Sequence, residues 1–262
     1  MRIRSGFIRS AGILACALLG ASSCRESLGP TEPLVPVTIA ADSSALRVLM
    51  VGNSLTFYND LPTRTADIAW RDSTLRHPDI HSVTAPGATL GDAWTTGQAQ
   101  QLIQGSHWDY IVLQEQSSAI VNVPDTTEAV VRRFNVLAKA AGARTVLFLI
   151  WAPLNTQLQD SVTRTFQGIA SRVGTLIAPL GVAWQRALQE DSTLPLYADA
   201  VHPTPMGTYL GACTMFATLY RHSPVGLAGT VALGDSVMTL DSATAALLQN
   251  TAWQVTQPYL PH

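Results

Sequence analysis

Asp199 and His202 lie three residues apart in "LYADAVHPTPMGTYL", so one tight turn can point both side chains the same way. An aspartate accepting from one imidazole nitrogen fixes the tautomer and leaves the other nitrogen free to take a proton. Pro203 biases His202 away from helical geometry, and Thr204-Pro205 reads as the N-cap and first position of a following helix. The imidazole would then stand on a short, stiff loop. A hydroxyl for such a base is Ser54 in "RVLMVGNSLTFYND", where four apolar residues give way to Gly-Asn-Ser. Taken singly, a serine at a strand end is as well read as a turn or cap residue, and Asp-x-x-His as a structural loop with a capping aspartate. A nucleophile needs a base, an orienter for that base and donors for the developing oxyanion, and the chain offers a candidate for each.

The other histidines offer little. His77 and His81 are four apart, the spacing of a helical metal pair, but Pro78 lies between them and no third ligand is evident. His107, His222 and His262 have no acidic or cysteine neighbours at useful spacing. No metal site and no cofactor is expected.

Positioning such a site requires a scaffold, and the pattern of the chain supplies one. Short apolar runs without polar alternation occur at "VLMV" (48–51), "YIVLQ" (110–114) and "TVLFLIW" (145–151), as in strands covered on both faces of a parallel sheet. A further strand is expected near Ile80–Ala85. Asp125 and Glu128 have capping-box spacing before a helix with Val130, Phe134, Leu137 and Ala141 on one stripe. Leu158, Val162, Phe166, Ile169, Val173 and Ile177 repeat that period in a second helix, and Met206, Leu210, Cys213 and Ala217 in a third. Asp241 or Ser242 would cap a last helix running through Trp253. The alternation predicts an α/β three-layer α/β/α sandwich with a mostly parallel central sheet, flavodoxin-like, whose ligands bind at the carboxyl ends of the strands.

Ahead of this domain (46–262) the sequence has a different character. Arg2, Arg4 and Arg9 precede the apolar "AGILACALLGA", the n-region and h-region of a secretory signal over residues 1–23. "ASSC" resembles a lipoprotein lipobox with Ala21 where leucine is usual, which makes Cys24 the lipidation site; ordinary cleavage nearby is the alternative. Residues 24–45, with three prolines and no amphipathic period, form a tether. The expected location is therefore outside the cytoplasm, as a lipoprotein anchored at the cell envelope, or otherwise periplasmic or secreted. Losing residues 1–23 removes three arginines and no acids, taking the formal charge from −2 to −5. With Lys139 the only lysine, no cationic track for nucleic acid is present. Contact with a membrane is expected only through the lipid anchor. Only Cys213 lies within the domain, so no disulfide framework supports it.

Together, "GNSLT" early and "DAVHP" late resemble the SGNH (GDSL-type) hydrolase family. The resemblance covers most of residues 46–222, and it implies a Ser-His-Asp esterase with Ser54 as nucleophile, His202 as base and Asp199 as its orienter. Asn53 stands where the family more often has aspartate. The family's oxyanion hole combines the serine amide with a glycine and an asparagine from two middle blocks. The glycine maps onto Gly87 in "TAPGATLGDAW", where Pro86-Gly87 has type II turn chemistry. The usual Gly-x-Asn block is missing. Aligning "YIVLQEQSS" puts Gln114 at the glycine and Gln116 at the asparagine, and a Gln116 amide offers the same N–H donor on a longer side chain. Gln114 and Glu115 remain alternatives.

Asn53, Tyr58, Trp151 and Tyr197 are expected at the substrate rim, with loop packing as the competing role for the aromatic rings. Partners are a small-molecule or carbohydrate ester. Three functions stay open: an esterase, which the fold's relatives extend to acetyl esters of carbohydrates; an acyltransferase using the same residues; and a non-catalytic lipoprotein that keeps the fold to bind glycans.

Overall fold

A computed structural model describes residues 44–233 and 236–261; the expected signal segment, Cys24 and most of the expected tether lie outside them. Strand β1 (Ala45–Gly52) begins one residue inside the stretch assigned to the tether, and all eight of its residues are buried. It is followed by a single helical turn, α1 (Ser54–Phe57), then α2 (Leu61–Ala69) and β2 (His77–Thr84). Helices α3 (Leu90–Thr96) and α4 (Gln98–Gly105) lead to β3 (Tyr110–Leu113). Beyond it come α5 (Ser117–Asn122), α6 (Pro124–Ala140), β4 (Arg144–Phe148), α7 (Gln159–Val173) and β5 (Leu176–Ala178). Helices α8 (Leu180–Glu190) and α9 (Pro205–Tyr220), the hairpin β6 (Thr230–Leu233) and β7 (Ser236–Thr239), and α10 (Ser242–Thr256) complete the domain.

The central sheet has the order β2-β1-β3-β4-β5 with every pair parallel, the expected α/β sandwich. The order reverses at β1: the chain goes out to β2 on one side and returns to β3 on the other. Crevices for ligands open at such a switch point. The register aligns the exits, since Gly52 pairs with Thr84 and Val51 with Leu113. Loops carrying Ser54, Gly87 and Gln116 therefore leave from three adjacent strand ends, with the serine in the middle.

Three local expectations are corrected. The stripe from Leu158 to Ile177 is not one helix: α7 stops at Val173, Gly174 takes a left-handed cap (φ 72°), and Ile177 belongs to β5. Asp125 and Glu128 form no capping box, because Pro124 occupies the start of α6 with Val123 at the cap. Glu128 instead bridges Arg132 and Arg172. The "TVLFLIW" run leaves the sheet at Phe148; Leu149 to Trp151 stay buried beyond it. The β6–β7 hairpin is antiparallel and was not foreseen. Elsewhere the patterns hold. Asp241 caps α10 through Ala243 N and Thr244 N, and α9 is buried all round, Cys213 included. Burial pushes that thiol up to about 12, which keeps it protonated and unreactive.

Candidate active site

At the end of β1, Gly52 gives way to Asn53, which caps α1 by accepting from Leu55 N at 3.1 Å. Ser54 is the first residue of that turn. Its N–H has no intrahelical carbonyl to reach and no other partner among the described residues. Asn53 is buried, and its Nδ2 donates to Ala88 O at 2.8 Å. This ties the serine turn to the Gly87 loop. Ala88 N closes on Ala85 O at 3.2 Å around Pro86-Gly87, with Gly87 at φ 65°, as a type II turn requires.

Gln114 holds the serine turn from the other side. Its Oε1 accepts from Asn53 N at 2.7 Å and Thr56 Oγ1 at 3.0 Å, while its Nε2 donates to Glu115 O at 2.7 Å. A methyl group on Gly52 would fall 2.5 Å from that Oε1, so the glycine makes room for the glutamine. Glu115 is equally committed: Oε1 accepts from Leu90 N and Gln116 N, and Oε2 from Thr127 Oγ1. Burial raises its pKa against the pull of those hydrogen bonds. As a carboxylate Glu115 only accepts, and the Gln114 amide is buried with both its oxygen and its nitrogen bonded to protein.

Gln116 differs. Its Oε1 caps α5, accepting from Ser118 N (2.8 Å), Ser118 Oγ (2.6 Å) and Ala119 N (2.9 Å). With the oxygen anchored, the Nε2 donors have no partner among the described residues. Ser54, Gly87, Gln116 and His202 all line one cavity of about 460 Å³, with Val121, Leu158 and Val201 among its apolar walls.

The histidine arrives on the loop before α9. Ala198 N bonds to His202 O at 2.8 Å and Thr204 N to Leu196 O at 2.9 Å, forming a narrow loop that Thr204 ends by capping α9 through Gly207 N. Inside it, Asp199 Oδ1 accepts from Val201 N and His202 N, both at 2.7 Å. Its Oδ2 lies 2.8 Å from His202 Nδ1, and His202 Nε2 lies 2.9 Å from Ser54 Oγ. A carboxylate only accepts, so it holds the proton on Nδ1 and leaves Nε2 as the acceptor facing the hydroxyl. The backbone N–H of His202, then that of Val201, then the imidazole itself hold Asp199 down to about 2.

The rim residues are distributed otherwise than the sequence implied. Trp151 is buried, stacks on Trp184 at 4.2 Å and donates from Nε1 to Val201 O at 2.8 Å; it supports the histidine loop from below and is not at the rim. Tyr197 donates to Ala152 O at 2.7 Å and faces a neighbouring cavity. Asn53 lines the serine cavity, but both ends of its amide are spent. Tyr58 stacks on the His202 ring at 4.6 Å and 23°. Sequence reasoning missed Asn59, whose Nδ2 donates to Pro203 O (2.9 Å) and Thr208 Oγ1 (3.0 Å), lashing the serine segment to the histidine loop. Asn59 and Asp60 are both left-handed, at φ 52° and 56°. An Asn-Asp pair tolerates that conformation better than most residues, and this is the one signal that could have drawn attention to it.

The chain is similar to a solved structure from Slackia heliotrinireducens classed as an SGNH hydrolase, at 27% identity and TM-score 0.55, over 66% of this chain and 97% of that one. The chain belongs to the SGNH hydrolase superfamily. Two further solved structures match in fold. They are the acetyl xylan esterase AlAXEase (TM-score 0.56, 12% identity, 65% of this chain and 98% of that one) and an acetyl xylan esterase from Geobacillus stearothermophilus (0.51, 16%, 66% and 92%). No family model and no curated protein matches the chain.

Proposed function

We propose that this SGNH hydrolase is a serine esterase acting on acetyl esters of carbohydrates through Ser54, His202 and Asp199. The observation that carries the reading is the unbroken series of contacts, carboxylate to imidazole to hydroxyl, at 2.8 and 2.9 Å. His202 Nε2 takes the proton as Ser54 Oγ attacks the ester carbonyl. The Ser54 and Gly87 amides and the Gln116 Nε2 then receive the oxyanion. Collapse transfers the proton from His202 to the departing alcohol, and water releases the acyl group by the same route. The free Ser54 N–H and the anchored Gln116 Oε1 support this division of roles.

The carbohydrate part of the reading rests on the two acetyl xylan esterases that share the fold. A fluorophosphonate probe should label the wild type and fail on Ser54→Ala. Among p-nitrophenyl esters and acetylated oligosaccharides, acetyl groups on sugars should give the highest kcat/KM. Equal labelling of Ser54→Ala would remove the nucleophile assignment, and preference for long acyl chains would remove the substrate class. We further propose export and tethering at the cell envelope through Cys24. Cys24→Ser should release the protein from the membrane fraction.

A further inference from the structure

A second cavity, of about 450 Å³, lies beside the serine cavity and shares Pro153 with it. Its floor is Trp184, fully buried beneath the opening, and its walls carry Asn155, Gln157 and Gln189. These three carboxamides have no protein partner among the described residues, and all three are exposed. Asp160, the single charged lining residue, already accepts from Gln185 Nε2 at 3.0 Å. No cationic side chain lines the cavity.

The two cavities are thus chemically unlike. The one at Ser54 has Val121, Leu158 and Val201 for walls, suited to an acyl group. Its neighbour presents uncharged groups that each both donate and accept, as sugar hydroxyls do. An anionic ligand would meet a carboxylate there and no positive charge. The dividing loop is also fixed to the catalytic loop: Leu154 N bonds to Ala200 O at 2.8 Å, and Tyr197 holds Ala152 O.

We propose that this second cavity is a binding subsite for the alcohol half of the ester, a neutral oligosaccharide, while the acyl half occupies the cavity at Ser54. The proposal rests on the esterase reading for its orientation, but binding itself can be measured without catalysis. The test titrates Ser54→Ala protein with unacetylated xylotetraose, cellotetraose and tetragalacturonate, following amide shifts by NMR. At least one neutral tetraose should bind saturably and the acidic one should not.

Gln189→Ala, at an exposed position, should weaken binding threefold to tenfold, about the worth of one hydrogen bond. Asn155→Gly should do the same; glycine keeps the left-handed backbone at φ 61° while deleting the amide. In the active enzyme, both changes should lower the ratio of kcat/KM on an acetylated oligosaccharide to that on p-nitrophenyl acetate. No saturable binding of either neutral tetraose, equal binding of the acidic one, or indifference to both substitutions would overturn the subsite. Fluorophosphonate labelling separates the two readings. A labelled Ser54 with no glycan binding leaves the esterase without this subsite, whereas glycan binding without labelling keeps the subsite and ends the esterase.

Discussion

The two sides of the candidate site are built on opposite principles. On the serine side, Asn53, Gln114 and Glu115 are at most 3% exposed, and every hydrogen-bonding end of their side chains points into protein. On the histidine side, the side chains of Asp199 and His202 are 54% and 28% exposed and stand on a loop. Interior polar groups cost stability when a partner is removed, whereas exposed ones lose mainly their local geometry. Damage to the serine side should therefore appear in stability and turnover together, and damage to the histidine side in turnover alone.

The largest expected effect tests the exposed half. Asp199→Asn should reduce kcat on p-nitrophenyl acetate by about 10⁴ by presenting the wrong tautomer, with a melting temperature close to wild type. Its carboxyl stays ionised down to about pH 2. Because this folded-state pKa is depressed, the small, solvent-screened stabilisation this exposed carboxylate brings is present above the ordinary carboxylate range and fades only as pH falls toward 2. Wild-type activity lost between pH 7 and pH 4 therefore comes from a group other than Asp199. A large drop in melting temperature for Asp199→Asn at pH 7 would break the division between the two sides.

Gln116 sits on the boundary, capping α5 with one end and facing the cavity with the other. Gln116→Ala should cost about 10²–10³ in kcat, and Gln116→Glu should be as slow while keeping the cap acceptor and the melting temperature. Wild-type turnover in both would remove Gln116 from the oxyanion hole. Gln114→Ala tests the buried half. It strands the Asn53 N–H and should lower unfolding free energy by about 1–3 kcal/mol, seen in urea denaturation, with turnover falling as the serine turn loosens.

The smallest effect concerns Glu115. Its pKa is raised by burial, so its contribution to stability is full below the ordinary range and is lost as pH rises through the elevated value. Glu115→Gln, which has no charge to bury, should gain in melting temperature relative to wild type as pH increases from 4 to 8. A difference that stays flat across that range would show that the glutamate carries no such penalty.

What the sequence disclosed follows from the range of the forces involved. Runs such as "VLMV" announce buried parallel strands because both faces must be apolar, and Asp199 with His202 is legible because a single turn contains both. β5 escaped because three residues between Gly174 and Pro179 carry no period of their own, and Ile177 happened to continue a helical stripe. The apparent capping box failed because Pro124 already occupies the first helical position. Trp151 was misplaced because its partner, the carbonyl of Val201, lies fifty residues away. The glutamines at 114 and 116 look alike in sequence. Only the three-dimensional neighbourhood reveals that one is consumed by the backbone of the serine turn and the other keeps a free amide.

The contact between Gly52 and Gln114 has an evolutionary corollary. Since even one methyl at position 52 would collide with the glutamine and with Thr56 Oγ1, the constraint runs one way: the first must stay small while the second is present. Lineages that anchor the serine turn in this manner should therefore carry the glutamine only together with a glycine some sixty positions before it, and a search keyed on that combination would gather them even where the customary third block has vanished.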